Sequence, residues 1–140
     1  MPKQICSLKW VLVATLASTI GPVSAAPAPG LQTPSGGIHC LYDAAEGGLR
    51  CEVAGATNPQ PAAPEDCPVD YGPHFFLPVK GKATRICVGD TVADPANPVL
   101  PYGERRAFGQ IVCESSTAGL QCKNSAGSGF RLKRSEQTLF

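Results

Sequence analysis

Residues 38–53, IHCLYDAAEGGLRCEV, decide the fold of this chain. Two short runs alternate apolar and polar side chains, and a glycine-containing turn over residues 44–48 separates them, which predicts a β-hairpin. In this hairpin Cys40, at the centre of the first run, lies opposite Cys51, at the centre of the second. In that register the remaining apolar residues also face each other on one side, Ile38 with Val53 and Tyr42 with Leu49. The agreement supports both the strand pairing and a disulfide between the cysteines.

A second hairpin follows the same plan nearer the C-terminus. Residues 110–123, QIVCESSTAGLQCK, place Cys113 opposite Cys122 around a turn at Thr117 and Ala118. Both cysteine pairs enclose an even number of residues, as direct cross-strand pairing around an even-numbered loop requires. The likeness of the two hairpins indicates either an internal duplication or two separate solutions to one packing problem.

A third hairpin is predicted between them, with strands at residues 75–77 and 83–88. Two proline-rich connections are expected, at residues 55–68 and 91–101. With 15 glycines and 14 prolines in the chain, a long helix has almost no place to form. The predicted fold class is therefore all-β, a small disulfide-stapled barrel or sandwich of about six strands with little helix.

Six of the seven cysteines predict a disulfide framework. Cys67 and Cys87 form the couple that remains after the two hairpin pairs, although other pairings of six cysteines are possible. The chain-entropy model assigns about 3 kcal/mol to each short loop closed in this way. Because such bonds form and persist outside the cytoplasm, the framework predicts a secreted or periplasmic protein.

The first 25 residues have the pattern of a secretory signal peptide. Lys3 and Lys9 precede an apolar run over residues 10–20. The small residues that follow the run, up to Ala25, provide a cleavage site. The run is shorter than the roughly 20 residues that span a bilayer, which argues against a membrane anchor. Since the sequence has no second apolar run of that length, no membrane span is expected after cleavage. The predicted organisation is a signal peptide at 1–25, a flexible tether at 26–32 and a single β domain at 33–140.

Charge argues against a nucleic-acid partner. The chain has 12 basic and 11 acidic residues, and the predicted signal peptide contains two of the lysines, which leaves the mature domain near −1. A domain of this charge has no overall electrostatic attraction to nucleic acid. The local exception is a basic segment near the C-terminus, with Arg131, Lys133 and Arg134.

Six short segments, in their order along the chain, resemble the pattern of a family of small exported bacterial domains with no established function. They are TPSGGIHC at 33–40, VGDT at 88–91, VLPYG at 99–103, CESS at 113–116, GLQCKN at 119–124 and GSGF at 127–130. The resemblance extends from Leu31 to Phe140. It implies a six-cysteine scaffold and an extracytoplasmic setting, and it implies no activity.

No motif supplies a catalytic, cofactor-binding or metal-binding residue. His39 and His74 have no second ligand at zinc-like spacing and are interpreted as surface or packing residues. Ser115 and Ser116 are placed in a hairpin turn, without the strand-to-helix elbow of a hydrolase nucleophile. Asp90, Asp94 and Asn97 are interpreted as turn-forming residues and not as calcium ligands, and Gly127-Ser128-Gly129 as a turn.

Two functional classes remain. The favoured one is a binding module that displays loops to an exported protein or envelope polymer. This class includes an inhibitor that offers a loop to a protease. Its predicted interaction surface combines loop 89–103 with segment 131–134, and the candidate residues are Asp90, Tyr102, Arg131, Lys133 and Arg134. The alternative is a small hydrolase that uses carboxylates such as Asp90 and Glu104, which requires two carboxyl groups about 5 to 10 Å apart.

Overall fold

The computed structural model describes Gly21 and residues 28–140, and the predicted signal peptide with its cleavage site lies outside the described residues apart from Gly21. The described chain forms ten β-strands and no helix. The first five are β1 Gly30–Gln32, β2 Ile38–Asp43, β3 Gly48–Val53, β4 His74–Pro78 and β5 Thr84–Arg85. The second five are β6 Arg105–Phe108, β7 Ile111–Ser116, β8 Gly119–Lys123, β9 Gly129–Lys133 and β10 Glu136–Leu139.

The strands form two antiparallel sheets of five. In each sheet every strand pairs with the next one along the chain, so β1 to β5 form one meander and β6 to β10 form another. The all-β prediction is confirmed, and the architecture is a sandwich and not a closed barrel. The two predicted cysteine registers are also observed, with Cys40 opposite Cys51 and Cys113 opposite Cys122.

The core lies between the inner faces of the two sheets. It contains Leu49 and Leu77 from the first sheet and Leu120 and Leu132 from the second, all fully buried. The rings of Phe75 and Phe130 meet across the sheets with centroids 6.0 Å apart. Burial of the aromatic and aliphatic side chains of both sheets in one cluster joins the two meanders into one domain.

The three disulfides have the predicted pairing but different environments. Cys40–Cys51 and Cys113–Cys122 join neighbouring strands, with Cα atoms 4.1 and 4.0 Å apart, and are buried in the core. Cys67–Cys87 joins the long β3–β4 connection to the segment after β5, with Cα atoms 5.8 Å apart. Cys87 is exposed and Cys67 half-buried. The third bond therefore fastens surface segments, whereas the first two are part of the core.

The structure corrects the strand count from six to ten. The additional strands are β1, β6, β9 and β10. Strand β1 lies within the predicted tether at 26–32: Leu31 pairs with Cys40 and is fully buried, so residues 30–32 belong to the domain. Strand β5 is shorter than expected, because only Thr84 and Arg85 pair with β4. No described segment forms a helix long and apolar enough to cross a membrane.

Candidate functional site

Three turns meet at one end of the sandwich. Alternate turns of an antiparallel meander lie at the same end, which brings together the β1–β2 turn, the β7–β8 turn and the β9–β10 turn. Between them is a hollow of about 210 Å³, called the end pocket here. Its polar lining consists of five hydroxyl-bearing residues and two cations: Thr33, Ser35, Tyr102, Ser116, Thr117, Lys133 and Arg134. Among the described residues, no acidic side chain lines it.

Arg134 is held by the connection that follows β3. Its Nε donates a hydrogen bond to the carbonyl oxygen of Gly55 at 3.0 Å. Its own carbonyl oxygen accepts hydrogen bonds from the backbone nitrogen of Thr57 at 2.7 Å and from the Thr57 hydroxyl at 3.3 Å. The two Nη groups have no acceptor among the described residues. The guanidinium is thus oriented through one nitrogen while its other donors stay available for an oxyanion.

Lys133 supplies a second, more loosely held cation. Its Nζ lies 3.1 Å from a carboxylate oxygen of Glu136, three residues further along the β9–β10 turn. The two side chains are 42% and 63% exposed, so solvent screens the pair and its contribution to stability is small. An incoming anion can therefore compete with Glu136 for this ammonium group at little cost.

The hydroxyl groups divide into structural ones and free ones. Thr33 Oγ1 accepts a hydrogen bond from the Ile38 backbone nitrogen at 3.2 Å, and Ser116 Oγ donates to the Gly119 carbonyl oxygen at 3.3 Å. The hydroxyls of Tyr102 and Thr117 form no hydrogen bond within residues 28–140. Tyr102 is 49% exposed, so both its ring and its hydroxyl are accessible at the mouth of the pocket.

Gly119 keeps the floor of the pocket open. Its φ is +120°, and a Cβ at this position would lie 2.3 Å from the carbonyl oxygen of Leu132. A side chain there would push β8 away from β9. The glycine therefore fixes the close approach that places Lys133 beside the β7–β8 turn.

Four of the five predicted interaction residues occupy this end. Tyr102, Lys133 and Arg134 line the end pocket, and Arg131 lines an adjoining hollow that shares Ser116 and Gly119 with it. Arg131 also donates a hydrogen bond to the side-chain oxygen of Gln121 at 2.7 Å.

Asp90 lies apart from the other four, on the outer face of the first sheet. There its carboxylate accepts a hydrogen bond from Arg50 at 2.9 Å. This hydrogen bond, with the positive charge of Arg50, lowers the pKa of Asp90 and raises that of Arg50. A lowered pKa is the opposite of what a general acid requires, so the geometry gives Asp90 no support as the acid of a hydrolase.

Most of loop 89–103 is fastened to the outer face of the first sheet. Glu52 accepts hydrogen bonds from the Thr91 hydroxyl at 2.6 Å and from the Val92 backbone nitrogen at 2.9 Å. Gln32 donates to the carbonyl oxygen of Asn97 at 2.7 Å, and further along Leu100 is buried. The predicted display loop is therefore bonded to β1 and β3, and of its residues Tyr102 lines the end pocket.

The sequence did not indicate that Glu52 is buried and holds loop 89–103. Strand alternation places its side chain on the outer face, where a glutamate is expected to be exposed to solvent. It is only 7% exposed, and the cover over it comes from a loop about 40 residues away in the chain. No local signal in the sequence marks it. Asp94 behaves as predicted, since its carboxylate accepts a hydrogen bond from the Ala96 backbone nitrogen at 2.8 Å within the loop's turn.

The two histidines have packing roles. His39 is 7% exposed, and its Nε2 lies 3.0 Å from the carbonyl oxygen of Gly36. His74 Nδ1 lies 3.7 Å from a carboxylate oxygen of Glu52. Within the described part of the chain, the one cluster of potential metal ligands is formed by Cys40, Cys51 and Cys122, whose sulfurs are used in disulfides.

The structure corrects the placement of two serines. Ser115 and Ser116 end strand β7, whereas the sequence placed them in the turn. Ser115 is fully buried, and its hydroxyl has no hydrogen-bond partner in the described part of the chain. The turn itself consists of Thr117 and Ala118, which is why Thr117 reaches the end pocket.

Together the fold and the pocket define a disulfide-stapled β-sandwich of two meanders, with a cationic, hydroxyl-rich hollow where three turns meet. The chain belongs to DUF6636, a family of unknown function whose model matches residues 11–140. No curated protein and no solved structure matches the chain.

Proposed function

We propose that this protein is an extracytoplasmic binding module and that the end pocket is its ligand surface. The observation that carries the proposal is the state of Arg134, which is oriented through Nε by Gly55 while neither Nη group has an acceptor within residues 28–140. An exposed aromatic ring, that of Tyr102, lies at the same pocket. An oriented cation beside an accessible tyrosine is typical of recognition sites.

The scaffold suits recognition because the pocket needs little ordering before it binds. The β7–β8 hairpin that forms one wall is closed by the buried Cys113–Cys122 disulfide. The β1–β2 turn opposite is stabilised by the hydrogen bond between the Gly36 backbone nitrogen and the Thr33 carbonyl oxygen at 2.8 Å. A site that is already ordered loses less conformational entropy when a ligand binds, which favours affinity.

Three disulfides in a small domain are typical of proteins outside the cytoplasm. We accordingly propose export by a signal peptide at residues 1–25, to the periplasm or the medium, where the partner is an exported protein or an envelope polymer. N-terminal sequencing of the exported protein is expected to begin at Ala26. An intact Met1 in a membrane fraction would contradict this.

Affinity capture tests the binding role. The oxidised domain from residue 26 onwards serves as bait for material from the producing cell's envelope and medium. A Tyr102→Ala, Lys133→Gln double variant is expected to lose capture. Its melting temperature should change by no more than a few degrees, because both side chains are exposed or half-exposed. The matched control is Lys82→Gln, an exposed lysine beside the β8–β9 turn at the opposite end of the sandwich.

The outcomes separate the alternatives. Capture that survives in the double variant would show that the end pocket is not the ligand surface. Equal loss in Lys82→Gln would show that capture depends on general charge and not on this site. Turnover of a peptide, glycan or ester library that disappears in Asp90→Asn would support the hydrolase alternative instead.

A further inference from the structure

The geometry points to an acidic saccharide unit as the ligand of the end pocket, with its anionic group on Arg134 and Lys133 and its ring against Tyr102. This inference rests on the proposed binding function and adds the chemical class of the ligand. The source we favour is an acidic polysaccharide of which one unit enters the pocket.

The size of the pocket limits what enters it. A hollow of about 210 Å³ is smaller than the sites that enclose a whole drug-sized ligand, which are about 300 to 1,000 Å³. A compact unit such as one sugar ring can occupy it, while the rest of a longer ligand extends over the surface. A folded protein partner would instead need a larger, flatter contact area.

The charge of the lining selects an anion. Within residues 28–140 two cations and no carboxylate line the pocket, and the nearby Glu136 carboxylate pairs with Lys133 at 3.1 Å. The free Nη groups of Arg134 present paired donors, the arrangement that binds carboxylate, sulfate or phosphate oxygens in a bidentate manner. Lys133 adds a positive charge that needs no fixed direction, so the two cations together can accept an oxyanion from the open side.

The hydroxyl groups select a polar body attached to that anion. The free hydroxyls of Tyr102 and Thr117 can each donate and accept a hydrogen bond, as the hydroxyls of a sugar require of their partners. An apolar ligand fits poorly, because the aliphatic contribution to the lining, from Ile38, is itself 96% buried. The exposed Tyr102 ring offers an apolar face on which a sugar ring can pack.

The neighbouring hollow favours a polymer over a free monosaccharide. Arg131 lies two residues before Lys133 on β9, so both side chains project from the same side of the strand. Their positions are about 6 to 7 Å apart along it. The hollow beside the end pocket is lined by Arg131 and by Glu114, whose carboxylate is paired with Arg105 at 2.7 Å. A polysaccharide with an anion on successive units can therefore contact Lys133 in the end pocket and Arg131 in this hollow.

Calorimetric titration tests the ligand class. The oxidised mature domain, in a buffer of low ionic strength, is titrated with oligogalacturonate, which has a carboxylate on each unit. The matched ligand is the same oligosaccharide with its carboxylates methyl-esterified. Binding of the acid is expected to be at least about tenfold tighter than binding of the ester. It should weaken as salt is added.

Protein variants locate the interaction. Arg134→Lys keeps the charge but removes the paired donors, and it is expected to weaken binding about tenfold. Glu136→Gln releases Lys133 from its internal partner, and it is expected to strengthen binding about two- to threefold. Because unfolding cannot increase affinity, a gain in this variant cannot be explained by a loss of structure. Lys82→Gln should bind like the unmodified domain.

Each other outcome has a defined meaning. Equal binding of acid and ester, lost in Tyr102→Ala, would overturn the acidic ligand class and leave the binding function intact. If no saccharide binds but a protein is captured through the end pocket, the acidic ligand class is likewise overturned and the binding function stands. Acid binding that is unchanged by Arg134→Lys and Glu136→Gln would overturn the saccharide assignment to the end pocket, whereas the proposed function is overturned by capture that survives in the Tyr102→Ala, Lys133→Gln variant. Equally tight binding of single-stranded DNA would show general polyanion attraction and overturn the saccharide assignment. Sulfated and phosphorylated oligosaccharides, titrated in parallel, identify which oxyanion the pocket prefers.

Discussion

The two meanders of the sandwich have the same inner face and different outer faces. The second strand of each contains Ile-x-Cys, the third contains Gly-Leu-x-Cys and the fourth contains Phe-x-Leu. The pairing repeats as well. Cys51 lies opposite Phe75 in the first sheet, and Cys122 lies opposite Phe130 in the second. The likeness seen in the hairpins thus extends to three consecutive strands and their register, which supports an internal duplication.

One steric constraint explains the glycine of each Gly-Leu-x-Cys segment. A Cβ on Gly48 would lie 2.7 Å from the carbonyl oxygen of Leu77, and a Cβ on Gly119 would lie 2.3 Å from that of Leu132. In both sheets the third strand therefore begins in close contact with the backbone of the fourth. The inner faces are alike because each supplies half of one shared core.

The outer faces differ because, among residues 28–140, loop 89–103 covers part of the first sheet and leaves the second sheet exposed. Register makes Glu52 of the first sheet equivalent to Lys123 of the second, since each follows the cysteine of the third strand. Glu52 is buried under loop 89–103, whereas Lys123 is exposed and its neighbour Val112 is 42% exposed. The first meander anchors loop 89–103, while the second provides two of the three turns around the end pocket, of which the β9–β10 turn is bonded to the connection after β3.

Truncation of the core phenylalanines should have the largest effect. Phe75→Ala and Phe130→Ala are each expected to lower the free energy of unfolding by about 3 to 5 kcal/mol, because both side chains are fully buried. Since the two rings are in contact, the double variant should lose less than the sum of the single losses. Urea denaturation measures all three. A markedly smaller cost at one position would show that the halves contribute unequally to the core.

The disulfides should differ in their order of reduction. A thiol reagent can reach the exposed Cys87, but not the sulfurs of Cys40–Cys51 and Cys113–Cys122, which are buried between the sheets. Graded reduction with dithiothreitol, followed by alkylation and peptide mapping, should label Cys67 and Cys87 first. That loss should cost about 3 kcal/mol by the chain-entropy model and leave the sheets folded. Earlier labelling of a core cysteine would mean that the sandwich opens more readily than its burial indicates.

The equivalent outer positions should respond differently to substitution. Glu52→Ala leaves the Val92 backbone nitrogen buried without its acceptor, and it is expected to cost about 1 to 3 kcal/mol. Lys123→Ala at the matching position should change stability by less than about 0.5 kcal/mol. Hydrogen exchange at the Val92 amide should accelerate in Glu52→Ala alone. Unchanged exchange there would show that Glu52 does not hold the loop in place.

The same contrast explains what could be predicted from the sequence. Alternation around Cys40, Cys51, Cys113 and Cys122 gave the two hairpin registers, because the inner face is decided by which residues must be buried. Strand β1 was missed because two prolines and a glycine precede Leu31, a composition that is typical of an extended tether and not of a strand.

The surface was less predictable than the core. Tyr102 was predicted as an interaction residue from its place at the end of the proline-rich loop, and Lys133 and Arg134 from their charge. The structure brings the three together through turns that meet in space. Asp90 was grouped with them because it belongs to the same loop. That loop crosses the outer face of the first sheet before it reaches Tyr102, so membership of one loop did not mean proximity. Contacts between a loop and a sheet depend on distant residues, and local patterns do not contain them.

The smallest expected effect concerns the ion pairs of the two outer faces. Arg50 and Asp90 join loop 89–103 to the first sheet at 2.9 Å, and Arg105 and Glu114 join two strands of the second at 2.7 Å. Asp90 is 73% exposed, so the solvent screens most of its interaction. Asp90→Asn should therefore lower the denaturation midpoint only slightly, and less at high salt than at low salt.

The pH dependence of that small effect follows from its cause. The hydrogen bond from Arg50 lowers the pKa of Asp90 in the folded protein, so folding is favoured by the ionised carboxylate. The stabilisation is fully present above the unfolded-state pKa of about 3.9, and it is lost as the pH falls through the lower folded-state pKa. The difference in midpoint between the unmodified protein and Asp90→Asn should accordingly be constant near neutral pH and vanish in acid. A difference that grows in acid would mean that Asp90 is stabilised in its protonated form, and the loop would then be held by contacts other than the pair with Arg50.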